Sequence, residues 1–285
     1  SIAAGFLMSR VIIRDITSEN EAASMIGYVT MGMSIIPLFA PGLGGLIQML
    51  LGWPSIFLIM SLLGLLLLLL VFRDLGETKI IKKNKNTKSS ASFINLFWEA
   101  KFWGYSFTLA FSAGTFFSFL GGAPYVATKV YNLNIVVSGL VMGFPAAGYF
   151  IGNYLSGRYS KFYGIDYMAL RGILLVIFGM FICLVITVFY RDTPYFFFGL
   201  CSFVGLGNGL IIPNASVGIL SVNENLSGTA GGIGNAIMIG TGAILASLTS
   251  YYLENQSSSS YLVFIMLLSG ALSYTSLYIF VLRNK

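Results

Sequence analysis

Few groups in this chain could make or break a bond: ten carboxylates and two cysteines, with no histidine. Acid–base or nucleophilic catalysis needs at least two such groups converging on one point, and a metal site needs several ligands. Here the carboxylates, from Asp15 to Glu254, fall in polar stretches or at the ends of long apolar runs, and Cys183 and Cys201 each stand alone inside one. The cysteines read as packing groups, because neither a disulfide framework nor a metal-ligand spacing is present. A membrane-embedded enzyme is therefore the weaker reading, and no catalytic or metal-binding residue is assigned. What remains is recognition by surface. Asn208 and Asn235 sit in the middle of apolar runs, where an unpaired amide is costly and is held against protein or a wet cavity. Phe107, Phe111, Phe119, Tyr125, Phe203 and Met238 offer polarisable surface that suits flat, amphipathic molecules of varied shape. Core packing or contact with lipid would account for the same side chains.

These residues need a scaffold, and its solvent is a bilayer. The chain is 56% hydrophobic and 9% charged with a mean hydropathy of +0.85, whereas a soluble domain carries about 25% charged residues. Uncharged runs cover residues 22–51, 55–72, 102–128, 135–156, 168–190, 195–220, 226–253 and 261–282. Each is of the length a helix needs to cross about 30 Å of hydrocarbon at 1.5 Å per residue. The reading is an all-α membrane protein of about eight full spans, with residues 1–9 as the end of a ninth helix. Because the chain opens on Ser1 without a charged leader, upstream residues are expected.

Basic loops stay cytoplasmic, and this orients the spans. With Arg10 and Arg14 inside, just Lys129 and Arg191 of the sixteen basic residues fall outside, and the C-terminus is cytoplasmic. The Lys79 to Lys88 run is explained as this topogenic signal, with contact to anionic lipid as a possible addition. A net charge of +6 then calls for no nucleic-acid partner. Residues 1–73 form the remainder of an N-terminal helical half, and residues 74–100 a cytoplasmic linker with an interfacial amphipathic stretch. Residues 101–285 form a C-terminal six-helix half. Two capping-box patterns, Ser18 with Glu21 and Ser221 with Glu224, lie 203 residues apart (221 − 18), each before a glycine-rich span. This spacing points to a tandem repeat about the membrane normal.

The most unusual stretch is residues 27–45, charge-free yet broken by Gly27, Gly32, Pro37, Pro41, Gly44 and Gly45. Each internal Gly costs about 1 kcal/mol and a Pro about 3 kcal/mol in a soluble helix. Such a segment is sustainable where lipid enforces helicity and small residues permit close helix contact. It resembles the antiporter motif on the fifth helix of drug:proton antiporters in the major facilitator superfamily, matching at Gly27, Pro41, Gly44 and Gly45, with Ile36 and Ala40 where the family has glycine. Arg10 to Asp15, Gly121 to Tyr125 and Gly207 to Asn214 resemble stretches of the Bcr/CflA-type multidrug exporters.

The resemblance implies a major facilitator fold of which this chain carries helices 4–12 of twelve, in a bacterial cytoplasmic membrane. It implies a monomeric secondary transporter that exports small amphipathic or drug-like molecules by alternating access. Protons would be the second partner, and their gradient would replace any cofactor. It also implies a cytoplasmic gate at Arg10, Arg14, Asp15, Arg158 and Lys161, the last two in a loop resembling the second copy of the superfamily's gating loop. Gly139, Gly143, Ala146, Ala147, Gly148 and Gly152 would face the fifth helix. No acid lies in mid-span, so the proton-coupling carboxylate is expected upstream. An uptake symporter or facilitator for a small metabolite is the alternative within transporters.

Overall fold

The computed structural model describes residues 2–74, 94–133, 135–189, 193–223, 226–255 and 258–283, but not the side chains of 2–7, 15, 19, 20, 36–46, 48, 49, 74, 94, 95, 135, 136, 254 and 255. Long helices dominate because each apolar run must satisfy its backbone internally in lipid. In order they are α1 (Ile2–Ile16), α2 (Glu19–Leu51), α3 (Pro54–Asp74), α4 (Ile94–Trp98), α5 (Ala100–Tyr125) and α6 (Ile135–Val141), followed by α7 (Phe144–Tyr163), α8 (Ile165–Phe189), α9 (Pro194–Ser221), α10 (Ser227–Asn255) and α11 (Ser259–Leu277). Single π-helical turns, Val126–Val130 and Tyr278–Leu282, prolong α5 and α11. Among the described residues, six segments are long and apolar enough to cross a membrane: Pro54–Arg73, Ala100–Val130, Ile165–Phe189, Pro194–Ser221, Ser227–Leu253 and Ser259–Leu282. The expected span at 22–51 coincides with α2, which stays helical through Pro37 and Pro41, although its middle side chains lie outside the described residues.

The expected span at 135–156 is not one helix. It breaks at Met142 and Gly143 into α6 and α7. Pro145 is the reason: its ring would strike the carbonyl four residues back, that of Val141, and it has no N–H to give, so it sits in the first turn of a new helix. The new helix then runs on to Tyr163, which places Arg158 and Lys161 in its last turns instead of in a loop. Gly164, at φ 83°, ends it and turns the chain into α8.

α9 is the axis of the larger half, with α7 and α8 packed along it, while α5 lies against α10 and α11 and also touches α9. α2 reaches across from the smaller half to α7, and α1 meets α9 and α10. The core is a continuous set of buried side chains that includes Phe102, Leu109, Ile173, Met180, Phe197, Phe198 and Val204. α3 stands at the margin: none of its membrane-spanning window is buried, and Leu62 to Phe72 are exposed. An uncovered leucine-rich helix is stable where lipid tails cover it.

The expected offset of 203 residues does not recur in the helix starts. α2 and α10 start 208 residues apart (227 − 19), and α3 and α11 start 205 apart (259 − 54). Ser221 ends α9 instead of capping α10. At the first pattern the Ser18 hydroxyl donates to the Glu21 carboxylate at 2.8 Å, and the Ser18 amide donates to the same oxygen at 3.4 Å.

Candidate functional site

Two features lie between the smaller and larger halves: a point where the backbones touch, and a cavity beyond it. The contact comes first because it fixes the cavity. A Cβ at Gly27 on α2 would lie 2.6 Å from the Gly157 nitrogen and 2.9 Å from its Cα, so no side chain fits. The ring of Tyr28 lies against Gly157 in turn. Ser24 donates its hydroxyl to the Gly157 carbonyl, and one turn further Thr30 lies 2.6 Å from Asn153 Oδ1, sharing its proton with the Ile26 carbonyl at 2.6 Å. Asn153 is fully buried, and its amide nitrogen donates to the Tyr149 carbonyl at 2.8 Å. These polar groups are paired, as buried polar groups must be.

Beside this crossing, α1 binds α9. Arg10, 3% exposed, donates from Nη1 to Ser216 Oγ at 2.6 Å, and Arg14 donates from Nε to Ser221 Oγ at 3.1 Å. A buried guanidinium is expensive unless hydrogen-bonded, so this contact holds the ends of α1 and α9 in register. A small space of about 10 Å³ separates Arg10 and Ser216 from Asn235 and Gly231 of α10. Asn235 therefore lines the same small space as Arg10. The side chain of Asp15 lies outside the described residues, as do those at Pro37, Pro41, Gly44 and Gly45.

The cavity opens past the crossing. It measures about 290 Å³ and is lined from α2 by Thr30, Met33 and Ser34, from α5 by Ala113, Phe116 and Phe117, from α7 by Ala146 and Tyr149, and from α9 and α10 by Asn208, Ile212 and Met238. Its wall carries no formal charge. Asn208, 1% exposed, is anchored to α5: Ser112 donates its hydroxyl to Asn208 Oδ1, Asn208 Nδ2 donates to Thr115 Oγ1 at 3.2 Å, and Thr115 donates to the Ser112 carbonyl at 2.6 Å. The amide thus uses one N–H donor and its carbonyl oxygen to fix α5 against α9 while presenting an edge to the cavity.

Asn208 and Met238 are the two residues singled out from sequence that line this space. The others lie elsewhere. Phe107 and Phe111 precede Phe116 by nine and five residues, which at about 100° per residue places them roughly 140–180° around α5. There they extend a stacked column from Trp103, with centroids 5.2 and 6.1 Å apart. Phe119 is 1% exposed and packs edge-on against Phe198 at 6.2 Å. Tyr125 is half-buried against the core. Phe203 packs against Phe178 of α8 and over Gly179. The small residues of α7 also turn elsewhere: a Cβ at Gly148 or Gly152 would enter the backbone of α9, and one at Gly209 would lie 2.6 Å from the Asn153 nitrogen. The stripe therefore seats α7 on α9, and Asn153 and Gly157 make the contact with α2.

Sequence reasoning missed Thr30, Ser34, Phe116, Phe117 and Tyr149. A usable signal existed in the hydroxyls of α2 and α5, which recur at helical spacing (Thr30 and Ser34; Ser112 and Thr115) in runs free of charge.

Comparison with known proteins fits this architecture. The Major Facilitator Superfamily family profile matches residues 1–247. A bicyclomycin resistance protein homologue of Haemophilus influenzae is 29% identical over 255 residues, covering 87% of this chain and 63% of that protein. Multidrug resistance protein D of Escherichia coli is 25% identical over 275 residues, covering 94% and 67%. The chain thus spans 63% of the length of the first of these relatives and 67% of the second. The crystal structure of a bacterial homologue of the iron transporter ferroportin, in an outward-facing state, superposes with a TM-score of 0.66 at 18% identity, covering 94% of this chain and 66% of that one.

Proposed function

Because the chain belongs to the Major Facilitator Superfamily, we propose that it is part of a secondary active transporter that exports small amphipathic or drug-like molecules by alternating access, coupled to inward proton movement. The uncharged cavity lined by Met33, Phe116, Phe117, Ile212 and Met238 carries this reading. Aromatic and thioether walls bind by contact area, not by a fixed hydrogen-bond pattern, and so accept different flat molecules. The few polar atoms offered by Thr30, Ser34, Tyr149 and Asn208 would orient one polar edge of the substrate. The names of the relatives, concerned with bicyclomycin and multidrug resistance, support the same substrate class.

Alternating access needs one end of the cavity to close while the other opens. The Gly27–Gly157 crossing, the Thr30–Asn153 bond and the two α1 arginines bonded to α9 supply closure at one end. The basic residues put that end at the cytoplasm, so a substrate would leave from the opposite side. Asp15, Arg158 and Lys161 belong to the proposed gate by their place at the same end. Asp166 also lies there: 8% exposed, it accepts a hydrogen bond from Tyr105 at 2.6 Å. That bond ties α5 to α8 and gives Asp166 a structural role in this reading.

Inverted membrane vesicles carrying the intact protein test the reading. Imposing an acid-inside proton gradient should drive accumulation of a fluorescent amphipathic cation or neutral dye, and collapsing the gradient should release it. Phe116→Ala should weaken apparent affinity about tenfold, the worth of burying one aromatic side chain. Accumulation that ignores the gradient would overturn proton antiport. Gradient-driven uptake into whole cells would favour a symporter.

A further inference from the structure

The wall of the cavity carries no formal charge, so a charge buried close behind it can decide which substrates bind. Arg10 holds that position. Three helices line both the cavity and the small space beside the Arg10 guanidinium. On each, the nearest residues of the two spaces are one turn apart: Ala113 and Leu109 on α5, Ile212 and Ser216 on α9, Met238 and Asn235 on α10. In all three pairs the second residue is the one nearer the latch. At 1.5 Å per residue, the Arg10 space therefore lies about 4.5–6 Å behind the cavity. Tyr149, which borders the cavity from α7, is within electrostatic reach of Arg10, a separate sign of the same proximity.

Burial makes this charge count, because a buried charge is screened by water and salt far less than an exposed one. The bond from Nη1 to Ser216 does not neutralise it, since a hydroxyl carries no charge. The carboxylates stand further back, and none lines either space. Glu21 is exposed at the start of α2, and nine residues separate it from Thr30 at the cavity, about 13 Å along the helix. Asp166 is buried, but its partner Tyr105 precedes Ala113 by eight residues on α5, twice the separation of Leu109 from Ala113. From Arg10 at Ser216 to Arg14 at Ser221, α1 runs away from the cavity, and Asp15 follows Arg14.

We propose that Arg10, besides latching α1 to α9, sets the charge selectivity of the cavity: neutral and anionic amphiphiles bind, and cations of the same shape are disfavoured. The inference rests on the export reading in taking the cavity as the substrate site, and it narrows the substrate class given there. Its size follows from Coulomb's law. One helical turn plus half the width of a small aromatic molecule puts a substrate charge about 10 Å from the guanidinium. In a medium of effective dielectric about 20, that separation changes a binding constant about tenfold.

Equilibrium dialysis of the intact protein in detergent, against protein-free micelles as blank, reads this without any proton gradient. Three probes share one ring system: neutral N-phenylnaphthylamine, its sulfonate and its trimethylammonium analogue. The wild type should bind the neutral probe about tenfold more tightly than the cation, and the sulfonate at least as tightly as the neutral probe. Arg10→Gln should bring the neutral-to-cation ratio close to one, and Arg10→Lys should keep it, because the charge remains. Asn235→Asp sets a carboxylate in the same small space and should also bring the ratio close to one, with the guanidinium and its bond to Ser216 still present. This variant carries the test if Arg10→Gln fails to fold. The ratio is taken within each variant, so a loss of packing that weakens all three probes alike does not move it. A wild type that holds the cation as tightly as the neutral probe, or a ratio unchanged in the folded variants among Arg10→Gln and Asn235→Asp, overturns the proposal and leaves the export reading standing. Failure of the wild type to bind any of the three overturns both.

Discussion

Replacing Gly27 with alanine isolates the close approach of α2 and α7. By helix propensity alone the change should help, since alanine is better than glycine in a helix by about 1 kcal/mol. The structure reverses that expectation. The added Cβ would stand 2.6 Å from the Gly157 nitrogen, and ordinary contact begins near 3.5 Å, so the two backbones must part by roughly 0.9 Å. Neither side has a rotamer to yield. Overpacking of this kind costs about 1–3 kcal/mol, and it falls on the closed state alone, because the gain in propensity is common to closed and open states. The closed population should fall about 5- to 150-fold relative to the open one. Gly32→Ala is the control, since nothing lies within 4 Å of its Cβ position. Cross-linking of Arg14→Cys to Ser221→Cys by a short bifunctional thiol reagent, which spans the gap left when the arginine stem that reaches Ser221 is removed, reports closure, and drug accumulation in inverted vesicles reports transport. If Gly27→Ala cross-links and transports as Gly32→Ala does, the backbone crossing is not the closure.

Three further perturbations separate packing from polar anchoring. Gly205→Ala would drive a methyl into the Pro145 carbonyl of α7, so the folded fraction on fluorescence-detected gel filtration should fall sharply, with no rescue by ligand. Asn208→Leu strips Ser112 and Thr115 of their shared partner, which should cost about 1–3 kcal/mol and lower the melting temperature of the detergent-solubilised protein even without substrate. Glu21 is held below its ordinary value of 4.5 first by the Ser18 hydroxyl and then by the Ser18 amide. A depressed carboxyl contributes stability above its ordinary pKa and loses it as pH falls through the lower one. Acidification below about 4.5 should therefore loosen the start of α2, seen as faster amide exchange there, and Glu21→Gln should abolish that pH dependence.

Much of the architecture was written in hydropathy, because a span either fills the hydrocarbon or does not. The break at Met142 and Gly143 was missed because an apolar run was read as one helix when Pro145 forbids continuity with Val141. Side-chain direction was far less legible. In lipid, residues that face neighbours and residues that face tails are equally apolar, so Phe107 and Phe116 look alike in the sequence although they lie on opposite sides of α5. Glycine marked close approach correctly but not its partner: Gly148 and Gly152 sit on α9, and Gly157 alone among them meets α2. The hydroxyls that anchor Asn208 and Asn153 needed coordinates to be paired, since Ser112 and Asn208 lie 96 residues apart and Thr30 and Asn153 lie 123 apart.

The contact of α7 with α9 has a mechanical corollary. Backbone meets backbone from Pro145 and Gly205 through Asn153 and Gly209, leaving no compliant layer of side chains between the two rods. They must tilt as a single beam. Tyr149 on that beam borders the cavity, and Gly157 lies eight residues, about 12 Å, further along it. A molecule wedged against Tyr149 therefore exerts leverage on the Gly27 crossing directly, with no relay of rotamer changes between load and latch.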